Sequence, residues 1–214
     1  MKSVLISIRP RWCKLIANGK KTVEVRKSKP KLEAPFKVYI YCTQEKRRYS
    51  PWSGKVIGEF VCDRIYQYAS DLFRSAPVEG TDISTEEIAK LSCLSAKELY
   101  EYEHSAEPRE NCIYLVGVYG WHISNLVIYD KPKLLSEFYK CGALSMEDLD
   151  EELCCHCSQT DYGDKKEIHT PSGVWMCEGT WCGEAYQAYL DDEFAITRPP
   201  QSWCYVEELA HECQ

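Results

Sequence analysis

Hydrophobic and polar residues alternate along much of this chain, and a two-residue period is typical of a β-strand with one buried face. β-branched and aromatic residues are common in the same stretches, which favours strands further. The pattern predicts strands over residues 4–8, 22–27, 36–42, 55–66, 113–122, 126–129 and 202–207. Strands therefore dominate, and their charged and proline-rich connections favour a mixed or antiparallel barrel over parallel βαβ units.

Helices are predicted where local capping signals occur. Pro10 suits a first helical position, and Asn18-Gly19 ends that helix because glycine adopts the left-handed conformation at little cost. Ser84-x-x-Glu87 and Ser95-x-x-Glu98 are capping boxes that predict two short helices. Further helical turns are expected over 145–153 and 184–191. The fold class is thus α+β, with short helices flanking the strands.

Charge is distributed unevenly along the 214 residues. The net charge is −7, but residues 1–60 hold fifteen Lys and Arg against four Glu, which gives this segment +11. Such a segment suits contact with phosphates, and the alternative is a solvated basic surface balanced by acidic helices. No apolar run is long enough to cross a membrane, and no signal peptide is evident. We therefore expect a cytoplasmic protein.

Thirteen cysteines are present, and a group of them lies at metal-ligand spacing. Cys154-x2-Cys157 is followed after nineteen residues by Cys177-x4-Cys182, and two close thiolate pairs complete a tetrahedral Cys₄ shell for Zn²⁺. Gly163, Pro171 and Gly173 suit a turning loop or hairpin between the pairs. We expect a structural zinc site, although reduced, unligated thiols are the alternative. Further ligands are available nearby, so the set stays open: Cys155, His156 and His169.

The strand after Gly19 carries the most distinctive charged pattern. Val23 and Val25 share one face and belong to a core, whereas Thr22, Glu24 and Arg26 share the other. A carboxylate can accept from an amine of a ligand while cations hold its oxygens. The alternative is a cross-strand ion pair on a solvated face.

These residues resemble the ASCH domain family, whose domains are PUA-like β-barrels. The resemblance rests on Ser7-Ile-Arg-Pro10, on Gly19-Lys-Lys-Thr-Val-Glu-Val-Arg26 as a G-x-K-x-x-E-x-R strand, and on the strands Lys55–Cys62 and Pro199–Glu208. It implies a barrel over 1–142 plus 195–214, with a Cys-rich zinc-binding insertion over 145–194 before the last strand. It also implies a role in binding RNA or a modified nucleotide.

By the same resemblance, Gly19, Lys21, Glu24 and Arg26 occupy the motif positions, and a cleft lined by Lys21, Glu24 and Arg26 holds the ligand. Neighbouring strands add further expected contacts: Arg9, Trp203 and Tyr205. Some small members are amidohydrolases that remove the acetyl group of N4-acetylcytidine, using a Lys, a Thr nucleophile and a distant Glu. Lys21 matches that Lys, but Glu24 stands where the Thr would be.

The alternative function is therefore an amidohydrolase or ribonuclease acting through Lys21 and Glu24. Glu98 and Glu103 are candidates for the distant Glu, and catalytic residues stay unassigned. A third hypothesis is a platform for a protein partner, since acidic helices and zinc modules serve as docking surfaces.

Overall fold

The computed structural model describes residues 2–45, 51–69, 81–105, 117–143, 165–170, 173–178 and 190–209. The strands of this part of the chain are β1 (Lys2–Ile8), β2 (Val23–Arg26), β3 (Phe36–Cys42), β4 (Lys55–Cys62), β5 (Ile65–Tyr68), β6 (Val118–His122), β7 (Ser124–Lys133), β8 (Lys165–Thr170), β9 (Gly173–Glu178) and β10 (Trp203–Glu207). The helices are α1 (Pro10–Ala17), α2 (Thr85–Ser92) and α3 (Ala96–His104). The α+β class is confirmed.

The chain divides into two compact units. The larger unit comprises residues 3–133 and 200–204, and the smaller unit comprises residues 1–2, 134–199 and 205–214. The functional residues predicted at the N-terminal strands and Trp203 all belong to the larger unit, whereas Tyr205 belongs to the smaller.

Strands β1 to β7, together with β10, form two sheets. One has the order β10-β1-β3-β4-β7, in which β1 and β3 are parallel and β3, β4 and β7 are antiparallel neighbours. The other has the antiparallel order β2-β6-β5. Within the described residues no strand pairing joins the two sheets, so a closed barrel is not shown, while the mixed α+β character of the prediction is confirmed.

The chain switches sheets where one continuous strand was predicted over 55–66. β4 ends at Cys62 in the first sheet, and β5 begins at Ile65 in the second. Asp63 and Arg64 form the exposed corner between them. β6 and β7 are likewise separated at the buried Ile123. At both corners the chain passes from one sheet to the other within one or two residues.

Each sheet has its own apolar packing. Strands β1 and β3 are buried on both faces over most of their length, including Leu5, Ile6 and Ile40 at 0% exposure. A second core lies between the β2-β6-β5 sheet and helices α2 and α3; it consists of Val23, Val25, Tyr68, Ile83, Ile88, Leu99 and Val118. The predicted core side of β2 is thereby confirmed.

The helix ends predicted from capping residues are confirmed for α1, α2 and α3. Pro10 occupies the first turn of α1, and Gly19 has a φ of +67° just after its end. The Ser84 hydroxyl accepts from the backbone N–H of Glu87, and Ser95 with Glu98 forms a complete capping box. β6 begins at Val118, whereas the prediction was 113–122, and residues 113–116 of that range lie outside the described part. β7 is longer than the predicted 126–129.

In the smaller unit, residue pairs Tyr139–Ala195 and Lys140–Val206 form antiparallel bridges around the fully buried Phe138. Strands β8 and β9 pair antiparallel, which agrees with the second of the two predicted alternatives, a turning loop or a hairpin, and Cys177 lies within β9. The helix predicted over 145–153 lies outside the described residues, as does most of 184–191, and Leu190–Phe194 forms a single π-helical turn.

Candidate functional site

Lys21, Glu24 and Arg26 meet in the interior of the larger unit, and we call them the charged trio. Lys21 Nζ lies 3.2 Å from Glu24 Oε2, and an Arg26 terminal nitrogen lies 3.0 Å from Glu24 Oε1. Their exposed fractions are only 3% for Lys21, 6% for Glu24 and 9% for Arg26. The alternative of a solvated, cross-strand ion pair is therefore wrong: the pairing follows one strand and its preceding turn, in an environment with little water.

The end of helix α2 holds Lys21 in place. Lys21 Nζ donates to the Ser92 carbonyl at 2.8 Å, and the Thr22 N–H donates to the Leu91 carbonyl at 2.9 Å. The Cys93 thiol donates to the Lys20 carbonyl at 3.2 Å. Carbonyls at a helix C-terminus carry partial negative charge, which favours a buried ammonium there.

Arg26 is held from the opposite side by residues of β1 and of the segment before β10. One terminal nitrogen donates to the Ser7 carbonyl at 2.6 Å, and the other lies 3.4 Å from the Ser202 hydroxyl. Ser7 in turn donates through its hydroxyl to the Pro200 carbonyl and through its N–H to the Ser202 carbonyl. Glu24 is thus flanked by two cations that are each anchored to backbone.

Three buried polar atoms beside these contacts have no hydrogen-bond partner among the described residues: Glu24 Oε2, Arg26 Nε and Trp121 Nε1. Glu24 Oε2 is close enough to Lys21 for an ion pair, but the geometry is not that of a hydrogen bond. Glu24 lies directly opposite Trp121 in the β2–β6 register, so the two side chains share a face. One acceptor and two donors on this face are therefore unused by the protein.

Aromatic rings border the charged trio. Lys21 Nζ lies 5.1 Å from the centre of the Trp12 ring, a distance at which a cation is attracted to the ring face. Trp121, fully buried, has its ring centre 5.9 Å from that of Trp203. Trp203 is half-buried, and its indole N–H donates to the Ser28 hydroxyl at 3.1 Å. Trp203 therefore lies at the margin of the site and not in its core.

Arg9 lies at the N-cap of α1 with its side chain exposed. It does not join the charged trio directly, but its charge acts on Tyr102, as do those of Arg26 and Glu24. Burial raises the pKa of Tyr102, and Arg26 partly offsets this. Arg9 is thus an accessible cation in the electrostatic neighbourhood of the buried site.

The candidates for a catalytic Glu have other surroundings. Glu98 caps α3 through Ser95, whose N–H and hydroxyl both donate to it and lower its pKa. Glu98 also lies 3.8 Å from Arg11. Glu103 lies on α3 and is only 2% exposed. The pKa of Tyr68 is raised mainly by burial, and the negative charge of Glu103 raises it further. Glu98 thus has a capping role in the structure.

Most of the predicted zinc ligands lie outside the described residues, namely Cys154, Cys157 and Cys182, together with the further candidates Cys155 and His156. Cys177 is on β9 opposite Lys166, and His169 is on β8. Elsewhere in the described part of the chain, no three His, Cys, Asp or Glu residues are grouped so as to hold a metal. The zinc site stays a prediction.

The site also uses residues that the sequence analysis did not identify: Ser7, Ser92, Trp121 and Ser202. Ser7 and Ser92 contribute backbone carbonyls, which every residue type carries, so no pattern marks them. Trp121 would have been found only from the register of β6 against β2.

This part of the chain is an α+β domain with two sheets, and its G-x-K-x-x-E-x-R strand is buried. These two features together define the class of protein. The family model of the ASCH domain matches residues 6–110, so this segment of the chain is an ASCH domain. This range contains the charged trio and Arg9. The fold is consistent with the PUA-like superfamily, and ASCH domains are generally regarded as RNA-binding.

Three solved structures of one protein from Zymomonas mobilis, titled ASCH, are similar to this chain. The first is 16% identical, covers 87% of this chain and 94% of its own, and has a TM-score of 0.39. A Tyr-to-Phe variant is 16% identical, with coverages of 91% and 99% and a TM-score of 0.34. A Ser-to-Ala variant is 18% identical, with coverages of 90% and 96% and a TM-score of 0.32. No curated protein matches the sequence.

Among the described helices, none combines the length and apolar character needed to cross a bilayer.

Proposed function

We propose that the larger unit binds a nucleotide of single-stranded RNA, or a free modified nucleotide, at the charged trio. The observation that carries this proposal is the unused hydrogen-bonding capacity of Glu24 Oε2, Arg26 Nε and Trp121 Nε1. Buried polar groups are nearly always satisfied, so a group of unsatisfied ones needs an explanation. A ligand that supplies one donor and one or two acceptors would satisfy them.

A nucleobase supplies such a set on one edge, because its ring and exocyclic N–H groups donate and its carbonyl and ring nitrogen atoms accept. RNA-binding proteins read unstacked bases by these edges and by stacking on aromatic rings. Trp203 is half-buried beside Trp121 and offers a ring at the margin of the site. The Glu24 carboxylate would accept from the base, while Arg26 and Trp121 would donate to it.

The phosphates would be held outside the buried site. The exposed cations of the same unit include Arg9, Arg11, Lys20 and Lys29. Lys29 Nζ also lies 5.4 Å from the centre of the Tyr119 ring. Tyr119 is the residue opposite Arg26 in the β2–β6 register, so Lys29 lies close to the charged trio along the sheet. Cations that contact phosphates displace counterions, so binding would weaken as salt increases.

Binding is favoured over catalysis at this site. Lys21 Nζ donates to the Ser92 carbonyl and forms an ion pair with Glu24, and the ion pair is a contact of the protonated amine. A protonated amine has no lone pair with which to act as base or nucleophile. Glu24, in turn, is flanked by two cations and lies where the family's hydrolases carry a hydroxyl.

The test is fluorescence anisotropy with a labelled single-stranded RNA of mixed sequence, measured between about 50 mM and about 200 mM salt. Arg9→Ala should weaken binding for all sequences and reduce the salt slope by about one. Trp203→Ala should weaken binding without changing that slope. Lys97→Ala is the matched control, since Lys97 is an exposed cation on α3 that pairs with Glu101.

Salt-independent affinity, or equal effects of Arg9→Ala and Lys97→Ala, would contradict the proposal. The same RNA is analysed by denaturing electrophoresis after incubation, and N4-acetylcytidine is assayed separately. Turnover that disappears in Lys21→Ala would favour the hydrolase alternative instead.

A further inference from the structure

A short strap of chain lies against the Arg26 side of the charged trio. The strap is Pro200–Ser202, directly before β10, and it belongs to the same unit as the trio. The Ser7 hydroxyl donates to the Pro200 carbonyl at 2.6 Å, and the Ser7 N–H donates to the Ser202 carbonyl at 2.9 Å. An Arg26 terminal nitrogen lies 3.4 Å from the Ser202 hydroxyl. The strap is thus held by Ser7, which also anchors Arg26, and by Arg26 itself.

A ligand can reach the charged trio only after a covering element moves. The three side chains are almost completely buried, and so are the three polar atoms beside them that the protein leaves unused. A buried atom cannot contact a ligand, so the observed conformation is a closed state of the site. Nucleotide binding here, the proposed function on which this inference rests, therefore requires a second, open state.

The elements around the trio differ in how firmly they are packed. Helices α1 and α2 are each fixed by fully buried side chains, such as Ile16 and Ile88. None of the three side chains of the strap is buried, and that of Gln201 is exposed. Residues 197–199, which precede the strap, are exposed as well. A segment with few buried apolar groups opens at a lower cost in free energy than a packed helix, so the strap is the element expected to move.

We infer that the strap is an autoinhibitory segment, which a nucleotide bound at the charged trio displaces from Arg26. The Ser202 hydroxyl takes up a guanidinium N–H at 3.4 Å, which is longer than a typical hydrogen bond of about 2.9 Å. A carbonyl oxygen of a base can approach the same N–H more closely, so ligand and strap compete for it. Trp203, just after the strap, keeps its contacts with Trp121 and Ser28, and the strap turns about it. The apparent dissociation constant is then raised by the reciprocal of the open fraction.

The first measurement is amide hydrogen exchange without ligand, followed by NMR on the isotope-labelled full chain. The Ser7 N–H is released when the strap opens. The Thr22 N–H is the internal control, because it donates to the Leu91 carbonyl of α2 at the same distance of 2.9 Å. After correction for intrinsic rates, we expect the protection of Ser7 to be at least about tenfold lower than that of Thr22. Equal protection at the two amides, or lower protection at Thr22, would overturn the inference.

The second measurement repeats the exchange with saturating single-stranded RNA of mixed sequence. Because the ligand holds the strap open, exchange at Ser7 should become faster on binding, while Thr22 should not accelerate. Unchanged or slower exchange at Ser7 in the bound protein would show that the strap stays closed, and the inference would be wrong. Failure of the RNA to bind contradicts the proposed function instead, and the exchange without ligand still decides whether the strap opens.

Variants then test the competition. Ser7→Ala removes one hydrogen bond that holds the strap closed, so it should tighten the apparent affinity for the RNA by about fivefold. Ser124→Ala is the matched control, because its hydroxyl donates to the Val61 carbonyl at 2.8 Å, away from the strap, and its affinity should be unchanged. Ser202→Ala should act in the same direction as Ser7→Ala, and it replaces that variant should the latter fail to fold. Weaker or unchanged binding in the strap variants would contradict the inference.

Discussion

Glu24→Gln is the sharpest perturbation of the interior of the larger unit. The substitution preserves the size and shape of the side chain and removes only its negative charge. The charged trio then changes from one net positive charge to two, with Lys21 and Arg26 still facing each other at less than 10% exposure. Little water reaches them to screen the repulsion.

Removing one partner of a buried ion pair costs about 3–5 kcal/mol, because the remaining charge stays buried and uncompensated. Lys21 and Arg26 keep their hydrogen bonds to the Ser92 and Ser7 carbonyls, which places the expected loss near the lower end of that range. With a urea dependence of about 2 kcal/mol per molar, a loss of about 3 kcal/mol moves the unfolding midpoint down by about 1.5 M.

The assay is equilibrium unfolding in urea at neutral pH, followed by tryptophan emission and by far-ultraviolet circular dichroism. Glu33→Gln is the control, because Glu33 is an exposed carboxylate of the same basic segment, and it should change stability by less than about 0.5 kcal/mol. Adding Lys21→Met to Glu24→Gln returns the site to one positive charge, so the double variant should lose at least about 1 kcal/mol less than the sum of the singles. A Glu24→Gln protein as stable as Glu33→Gln would refute the reasoning.

Three further predictions concern other parts of the chain. Gly58→Ala should cost about 3 kcal/mol, because its methyl group would overlap the Val127 carbonyl oxygen, whereas Gly19→Ala meets open space and should cost only about 1 kcal/mol for its positive φ; urea unfolding compares them. The hydrogen bond from His122 lowers the pKa of Asp63, so it stabilises the fold above the ordinary Asp pKa and the gain disappears as pH falls through the lowered value. Both side chains are a third or more exposed, so Asp63→Asn should lose under about 1 kcal/mol at pH 7 and nothing in strong acid, as unfolding at several pH values would measure. Purified protein should contain about one zinc per chain by elemental analysis, and replacing the first cysteine pair of the predicted zinc site with serine should remove it; less than about half an equivalent without chelator exposure would contradict that site.

Local signals carried most of the element predictions. The alternation in β2 and the capping residues Ser84 and Ser95 determine structure within a few residues, so they are readable without a fold. The interruption at Asp63 and Arg64 was missed because the two-residue period continues through it. What changes there is the identity of the pairing strand, which a local pattern does not contain.

The candidate site likewise combines a feature that local sequence predicts with one that depends on distant parts of the chain. The relation among Lys21, Glu24 and Arg26 follows from their spacing, since a strand and its preceding turn place them together. Their burial does not follow, because it depends on β1, β6 and the segment before β10 packing over that face. A charged strand face is equally compatible with a solvated surface until those neighbours are known.

The anchoring of Arg26 has a consequence for biosynthesis. Its guanidinium binds Ser7 nearby in the chain, but the hydroxyl on its other side belongs to Ser202, which is 176 residues further on. At typical elongation rates of about 5–20 residues per second, roughly 9–35 s separate the synthesis of the two. A nascent chain on the ribosome can therefore form its ion pairs before the segment that covers them has been synthesised, and the charged trio is enclosed only when that segment emerges.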